Sequence, residues 1–215
     1  MAGKGELSLI EVDGSEKLIR LDWDLYFMGL AYQVSSRSGC HHVRAGSVIV
    51  DQKNRIIGTG YNGAAPDFPN HLEIGCRKEA AGKTYENSRN SGLCEGVHAE
   101  MNALANLTTN QSGFTLYTTL SPCFSCAKNL AAYKPNKIVF SMFYDEEESK
   151  PARDYLERGK IGVEQIKMTP ELILMSMLSH PVSNRDVFSK EDRWKLEQVL
   201  ILLQDFSDSD FPGSV

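Results

Sequence analysis

Four residues near the middle of the chain have the types and the spacing of a metal site with a neighbouring acid–base group. His98 and Glu100 lie two positions apart, and Cys123 and Cys126 follow three positions apart. An imidazole and two thiolates are ligands that zinc prefers, and a zinc ion held by three protein ligands keeps a fourth position open for water. Zinc lowers the pKa of that water to about 7, which makes it a nucleophile at neutral pH. The set therefore predicts a zinc centre that activates water.

Glu100 has the position of a proton carrier. Two residues after His98 on a helix, its side chain points to another side, so it is free to act as a base and then as an acid. We predict that it takes a proton from the water, delivers it to a ring nitrogen and later protonates departing ammonia. The order H-A-E followed by P-C-x-x-C is the signature of zinc-dependent nucleobase deaminases. The alternative is a closed structural zinc site, but such a site usually has four Cys or His ligands, and neither segment offers an adjacent fourth.

The elements around these residues must hold them at helix starts. Pro122 is typical of the first helical turn, and a helix N-terminus favours the negative charge of the Cys123 thiolate. Strands that alternate with helices predict an α/β layered domain, in which the ligand lies beyond the strand ends. We predict helices at 98–107, 123–133 and 151–158, and strands at 115–120, 137–142 and 163–166.

Upstream of the metal residues, the sequence predicts a helix from about Asp22 and an antiparallel hairpin formed by 45–50 and 55–60. The segment 64–93 is irregular, polar and punctuated by glycine, which is typical of a functional or stapled loop. A second, structural zinc site is one interpretation of the residues in and around it, with Cys40, His71, Cys76 and Cys94 as ligands. Alternatively, these cysteines are small apolar side chains, since no close C-x-x-C pair occurs among them.

The length of 215 residues suits one well-buried domain with extensions. We expect an N-terminal extension at 1–21, a zinc-dependent deaminase domain at 22–168 and a helical C-terminal extension at 169–215. The composition, 41% hydrophobic and 24% charged, is that of an ordinary globular protein.

The charge and the cysteine content limit which binding partners and which cellular compartment we expect for this protein. The net charge of −5 argues against a polynucleotide partner, which needs clustered cations, and leaves a single nucleotide open. No apolar run is long enough for a membrane span, so no membrane partner is expected. Five cysteines without an export signal predict a reducing, cytoplasmic environment.

Three further segments, together with the metal residues, resemble the deoxycytidylate (dCMP) deaminases of the cytidine deaminase superfamily, between about Leu21 and Ile166. They are W-D-x-Y-F-M from Trp23, R-I-I-G-T-G-Y-N-G from Arg55, and Y-T-T-L-S-P-C-F-S-C from Tyr117. The resemblance implies an α/β, three-layer cytidine deaminase-like fold with a five-stranded mixed sheet flanked by helices. It also implies one catalytic zinc ion, conversion of dCMP to dUMP with release of ammonia, a homo-oligomer and, in some members, allosteric control by dCTP and dTTP.

The resemblance assigns substrate contacts as well. Asn62 corresponds to a position whose amide contacts the sugar, and the alternative is that it shapes the turn. Ala99 corresponds to a residue whose backbone reaches the base. Tyr61 and Phe124 either pack against the base or belong to the ordinary core.

The segment from Cys40 to Ser47 departs from the pattern C-x-R-R-x-V-G-A that relatives often show. Ser47 stands where an alanine usually lines the pocket. Arg44 replaces the basic pair as the phosphate contact, because a guanidinium matches phosphate geometry, or else it is a solvated surface residue. Two alternatives therefore stay open: a zinc deaminase of another cytosine nucleotide, nucleoside or modified base, and a non-catalytic zinc-stabilised regulatory or scaffold protein, against which the intact Glu100 argues.

Overall fold

The computed structural model describes residues 8–12, 16–40, 42–83, 92–109, 112–170, 172–174 and 176. The chain divides into two compact units, 1–29 with 168–215, and 30–167. Strands β1 (Ser8–Val12) and β2 (Glu16–Arg20) form an antiparallel hairpin in the first unit. The apolar alternation in these strands is short, so the sequence predicts only an N-terminal extension there and no hairpin.

Helix α1 (Trp23–Ser35) begins where the sequence predicts. The carboxylate of Asp22 accepts a hydrogen bond of 2.7 Å from the backbone N–H of Leu25. This bond satisfies one of the N–H groups that a first helical turn leaves unpaired, and Asp is among the residues preferred at that position.

The central sheet confirms the predicted five-stranded mixed arrangement. Its strands are β3 (Gly46–Val50), β4 (Ile56–Tyr61), β5 (Thr115–Leu120), β6 (Lys137–Met142) and β7 (Gly162–Gln165). They lie in the order β4-β3-β5-β6-β7. The pairs β4·β3 and β3·β5 are antiparallel, whereas β5·β6 and β6·β7 are parallel. The hairpin at the start and the parallel strands after it are those that the sequence predicts.

The remaining helices are α2 (His71–Ile74), α3 (Arg77–Ala80), α4 (Ala99–Ala105), α5 (Phe124–Ala132) and α6 (Glu146–Arg158). Helices α2 and α3 are short turns inside the segment that the sequence predicts to be irregular. Helix α6 begins before the predicted residue 151, because Glu146 and Glu147 in its first turn suit the helix dipole. Pro151 lies inside the helix and removes one backbone donor from it.

Helices cover both faces of the sheet, as a three-layer fold requires. On one face, Ile49, Leu116 and Ile138 form a buried cluster with residues of α4, α5 and α6. On the other face, Gly46 of β3 lies against the backbone of α1 at Ala31. Residues alternate between the faces along each strand, which explains why β3, β5 and β6 are buried through most of their length.

The C-terminal extension is described only at its beginning. Residues 170, 172–174 and 176 are helical, and the rest of the helical extension predicted at 169–215 lies outside the described residues. Within the described part of the chain, no helix is long and apolar enough to cross a bilayer.

Gly60 allows α4 to lie close against β4. A Cβ at this position would lie 2.2 Å from the backbone N of Ala103 and 2.4 Å from the carbonyl O of Ala99. Because both are helix backbone atoms, the clash is relieved only by moving α4. We expect Gly60→Ala to lower the free energy of unfolding in urea by about 1–3 kcal/mol. Gly162→Ala is the control, since its Cβ would meet nothing closer than 3.5 Å, and an equal loss in both variants would contradict this account.

Candidate metal centre

A short backbone bridge positions His98. Gly63, just beyond β4, and Val97 exchange two backbone hydrogen bonds of 3.1 and 2.8 Å. His98 is therefore fixed beside the end of β4, as the residue that precedes α4. Its backbone is extended, with φ −69° and ψ 152°, and its side chain does not cap the helix. The imidazole is thus available for another partner.

Two asparagines hold α4 to the edge of the sheet. The side-chain amide of Asn102 donates to the carbonyl of Tyr61 at 2.7 Å, and that of Asn106 donates to the carbonyl of Thr59 at 3.0 Å. An edge strand such as β4 exposes unpaired carbonyls, and residues four apart share one helix face. Sequence reasoning missed these positioning residues, although their spacing next to a predicted hairpin is the signal that identifies them.

The two cysteines lie at the start of α5. Cys123 is the N-cap residue, and its Sγ accepts a hydrogen bond of 3.5 Å from the backbone N–H of Cys126. This bond closes the first turn and brings both sulfur atoms to the same side of the helix start. The local geometry follows from the predicted P-C-x-x-C spacing.

The ligand atoms of His98, Cys123 and Cys126 lie within 4.8 Å of one another. The Nδ1 atom of His98 is 3.6 Å from Sγ of Cys123 and 3.3 Å from Sγ of Cys126. Tetrahedral zinc, with Zn–S near 2.3 Å and Zn–N near 2.0–2.1 Å, requires an N···S distance of about 3.6 Å. The three residues therefore fit zinc with little movement, and Nδ1 is the imidazole atom that faces the metal position.

Hydrogen bonding and burial set the protonation of this group. The Cys126 thiol, and then His98, hydrogen-bond to Cys123 and lower the pKa of the Cys123 thiol to about 4, against the opposing effect of burial. The hydrogen bond to Cys123 and burial raise the pKa of Cys126. The hydrogen bond to Cys123 also raises the pKa of His98. A site that holds Cys123 as a thiolate suits a cation, because the thiolate is the form that binds metal.

Glu100 lies beside the three ligands in the first turn of α4 and is only 6% exposed. Interactions with the Cys126 thiol and with its own backbone N–H favour the ionised form of this carboxyl group. Burial raises the pKa of Glu100, and the charge of His98 partly opposes that rise. A buried carboxyl group at a metal site, with its pKa raised above the ordinary value, suits proton transfer in both directions.

The residues predicted for a second zinc site are not brought together in the same way. Among the described residues, the triad of His98, Cys123 and Cys126 is the group whose ligand atoms are close enough to share an ion. The thiol of Cys94 is exposed, and those of Cys40 and Cys76 are partly buried. Buried His71 lies near Cys94, since both side chains approach Gly96. The quartet of Cys40, His71, Cys76 and Cys94 stays a prediction.

The amide of Asn62 links the end of β4 to the segment 38–45. Its Oδ1 accepts from the backbone N–H of Ala45 at 2.7 Å and from the hydroxyl of Ser38 at 2.6 Å, and its Nδ2 donates to the carbonyl of Val43 at 2.8 Å. These bonds are those of the turn-shaping interpretation. An amide nitrogen carries two N–H groups, and no described residue accepts the second, so the sugar contact stays a prediction.

Two other residues predicted to contact the substrate, Ala99 and Ser47, are buried. Ala99 is fully buried as the first residue of α4. Ser47 is also buried, and its hydroxyl donates to Thr118 at 3.0 Å. Ser47 is directly opposite Gly60 in the β3·β4 register, so both residues lie on the same face of the sheet. Gly60 lies against the backbone of α4, and the side chain of Ser47 therefore faces the start of that helix.

Two predicted aromatic contacts are partly exposed. Tyr61, at the end of β4, is 38% exposed. Phe124, at the start of α5, is 43% exposed, and its ring packs edge-on against Tyr155 of α6 with 5.6 Å between the centroids. Phe124 therefore contacts α6. Its predicted contact with the base stays a prediction.

Helix α3 brings a cation to the centre that sequence reasoning missed. Arg77 forms an ion pair of 2.5 Å with Glu95, and the carboxylate of Glu79 lies 3.2 Å from Nε2 of His42. Between these two residues, Lys78 is half-buried, and its charge lowers the pKa of His98 against the larger effects that raise it. No described residue forms an ion pair with Lys78. The sequence around Lys78 has no periodic pattern, so the position of Lys78 near His98 could not be predicted.

A five-stranded mixed sheet that places a His and two Cys at the starts of two helices, beside a buried glutamate, defines a zinc-dependent deaminase with the cytidine deaminase-like fold. Residues 21–142 match the family model described as "Cytidine and deoxycytidylate deaminase zinc-binding region". The chain belongs to this family, and the zinc predicted from its sequence is confirmed.

Relatives with known names share much of the chain. It is 37% identical over 168 residues to deoxycytidylate deaminase of Saccharomyces cerevisiae, with 74% of this chain and 51% of that protein covered. It is 35% identical over 125 residues to deoxycytidylate deaminase of Mycobacterium phage D29, with coverages of 56% and 95%. This chain therefore spans about half the length of the yeast relative and nearly all of the phage relative.

A solved structure is similar as well. The dCMP deaminase of cyanophage S-TIM5 in complex with dCMP and dUMP superposes with a TM-score of 0.52 at 26% identity. The match covers 65% of this chain and 93% of the phage chain.

Proposed function

We propose that this chain is a hydrolase that converts dCMP to dUMP with release of ammonia. The observation that carries the reaction type is the buried carboxyl group of Glu100 beside His98, Cys123 and Cys126, which together fit zinc. The substrate is supported by the relatives named deoxycytidylate deaminase and by the related phage structure that contains dCMP and dUMP.

His98, Cys123 and Cys126 would hold the zinc ion, which lowers the pKa of a water molecule and so supplies the nucleophile that attacks C4 of cytosine. Glu100 accepts the proton of that water and transfers it to N3 of the ring. The same carboxyl group then accepts the remaining proton from the oxygen added at C4 and delivers it to the amino group, which leaves as ammonia while the C4 carbonyl forms. The burial of Glu100 keeps bulk water away from these transfers.

Two cations are proposed to recognise the 5′-phosphate. Arg44 is exposed in the segment that Asn62 holds, and no described residue forms an ion pair with it. Lys78 lies near enough to His98 for its charge to be felt there. The ion pair of Arg77 with Glu95 and the contact of Glu79 with His42 hold α3 on both sides of Lys78. A dianionic phosphate bound here would supply the charge partner that both cations lack among the described residues.

The remaining contacts are proposed from the family pattern and the positions above. Asn62 offers its second amide N–H to the sugar. The backbone of Ala99 meets the ring, and Ser47, whose hydroxyl donates to Thr118, lies at the wall of the pocket. Tyr61 and Phe124 are proposed to border the base at the exposed side of the pocket.

Assembly, regulation and compartment belong to the same proposal. Oligomer formation is supported by exposed apolar side chains between β4 and α3, namely Phe68, Leu72 and Ile74. Control by dCTP and dTTP rests on the family resemblance. A reducing compartment is supported by the five cysteines, none of which forms a disulfide.

The test is ammonia release from dCMP, CMP, deoxycytidine, dCTP and 5-methyl-dCMP. We expect kcat/KM for dCMP to exceed that for deoxycytidine by about 10²- to 10⁴-fold, since two hydrogen-bonded charge contacts contribute about 1.5–3 kcal/mol each. Preference for another compound in the panel would replace dCMP as the substrate and leave the deaminase assignment standing. Zinc binding without turnover of any compound would favour the scaffold interpretation.

Variants of the two cations test phosphate recognition within the same assay. Arg44→Gln and Lys78→Gln should each lower kcat/KM for dCMP by about 10- to 100-fold and leave deoxycytidine turnover within about twofold. Lys53→Gln, in the exposed turn between β3 and β4, is the control and should change neither value. If dCMP and deoxycytidine lose activity in parallel, the phosphate assignment is wrong.

A further inference from the structure

The segment that carries Cys123 is short and tightly held. β5 ends at Leu120 and α5 begins at Phe124, so three residues make the whole connection. The first of them, Ser121, is 5% exposed, and its backbone N–H donates to the carbonyl of Met142 at 2.8 Å. This bond extends the pairing of β5 with β6 by one residue, up to the metal ligand loop.

The hydroxyl of Ser121 belongs to a buried chain of hydrogen bonds whose direction is fixed. Ser149, which is 4% exposed on α6, donates its hydroxyl proton to the carbonyl of Asp145 at 2.5 Å. A hydroxyl has one proton, so in the 2.7 Å contact between Ser121 and Ser149 the proton comes from Ser121. The Oγ of Ser121 in turn accepts from the backbone N–H of Tyr144 at 3.4 Å.

We propose that Ser149 and Ser121 form a clasp that positions the zinc ligand Cys123. Between Ser121 and Cys123 stands Pro122, whose ring fixes φ near −65°. Only Pro122 separates Ser121 from Cys123, and its ring removes one of the torsions between them, so a shift of Ser121 moves Cys123 Sγ relative to Nδ1 of His98, 3.6 Å away. The clasp rests on the zinc-dependent reaction of the proposed function, but it does not depend on which cytosine compound is the substrate.

Ser149 is a positioning residue and contacts neither metal nor substrate in this account. Partners that orient metal ligands typically change metal affinity or activity by about 10- to 100-fold when they are removed. Ser149→Ala deprives the Ser121 hydroxyl of its acceptor and leaves every zinc ligand in place. Alanine also favours the helix in which Ser149 lies, so a change at the metal is separable from loss of α6.

The experiment measures zinc affinity by chelator competition and the absorption spectrum of the cobalt-substituted full chain, with urea unfolding on the same samples. For Ser149→Ala we expect zinc affinity to fall by about 10-fold or more, and the cobalt bands that report thiolate coordination to shift. Ser149→Thr, which restores a hydroxyl, should recover both values. Ser36→Ala is the matched control, since Ser36 also donates to a backbone carbonyl, at 2.7 Å, but on an exposed turn.

The double variant Ser121→Ala with Ser149→Ala separates the clasp from independent effects. If the two hydroxyls act as a unit, the double variant is no worse than the more damaging single one. Unchanged zinc affinity and cobalt spectrum in Ser149→Ala would overturn the proposal. So would a loss of affinity that merely follows a loss of stability. Both readouts are independent of turnover, so failure of the dCMP assignment leaves this test intact.

Discussion

Replacing Glu100 with glutamine should leave zinc bound and lower kcat for deamination by about 10²- to 10⁴-fold, the usual contribution of a general acid and base. Glutamine has nearly the volume of glutamate, so the buried space beside Cys126 remains filled. It cannot carry a proton between water and the ring, however, because an amide has no accessible protonation near neutral pH. The check is single-turnover kinetics with zinc content determined on the same protein.

A carboxylate outside the centre provides the control for this prediction. Glu157→Gln makes the same chemical change on an exposed part of α6 and should leave both zinc content and kcat unaltered. A Glu100→Gln variant with the wild-type rate would show that another group moves the protons. A variant that loses zinc together with its activity would show instead that Glu100 contributes to holding the metal.

The strands of the sheet and the zinc centre could both be predicted from the sequence, for different physical reasons. Strands such as β5 and β6 are buried on both faces and read as continuous apolar or β-branched runs. The metal ligands lie in two short segments, and each is placed by its own helix start. One hydrogen bond joins Cys123 to Cys126, which lies three residues further along the chain. Local geometry alone therefore places two of the three metal ligands.

Contacts between distant segments could not be predicted in this way. Ser121 and Ser149 are separated by 28 residues, and a serine on a charged helix has no period that identifies its partner. Asn62 illustrates a second difficulty, because its amide suits a sugar and a turn equally well until the position of Val43 is known. Lys78 lies in a segment without regular structure, where neither alternation nor helical spacing indicates the path of the chain.

Cys123→Ser is expected to abolish turnover and to weaken zinc binding by on the order of 10²-fold. Structural zinc sites with four ligands contribute about 10–16 kcal/mol, so one ligand accounts for roughly 3 kcal/mol, which corresponds to about 10²-fold in affinity. The thiol of Cys123 has a pKa of about 4 and is a thiolate at neutral pH, whereas a serine hydroxyl stays protonated. Serine is nevertheless a good N-cap, so α5 keeps the hydrogen bond that Cys123 now accepts from Cys126.

Retention of the cap is what makes the serine variant informative. If its urea unfolding in excess chelator matches that of the wild type, the loss of zinc arises from the missing thiolate and not from a frayed helix. Cys94→Ala serves as the control at an exposed thiol and should keep the catalytic zinc and full turnover. Should the second zinc site exist, Cys94→Ala would lose one zinc per chain while Cys123→Ser retained that same ion. An unchanged zinc affinity of the His98 site in Cys123→Ser, measured by chelator competition, would contradict the ligand assignment, because His98 and Cys126 alone leave two of the four tetrahedral positions without a protein ligand.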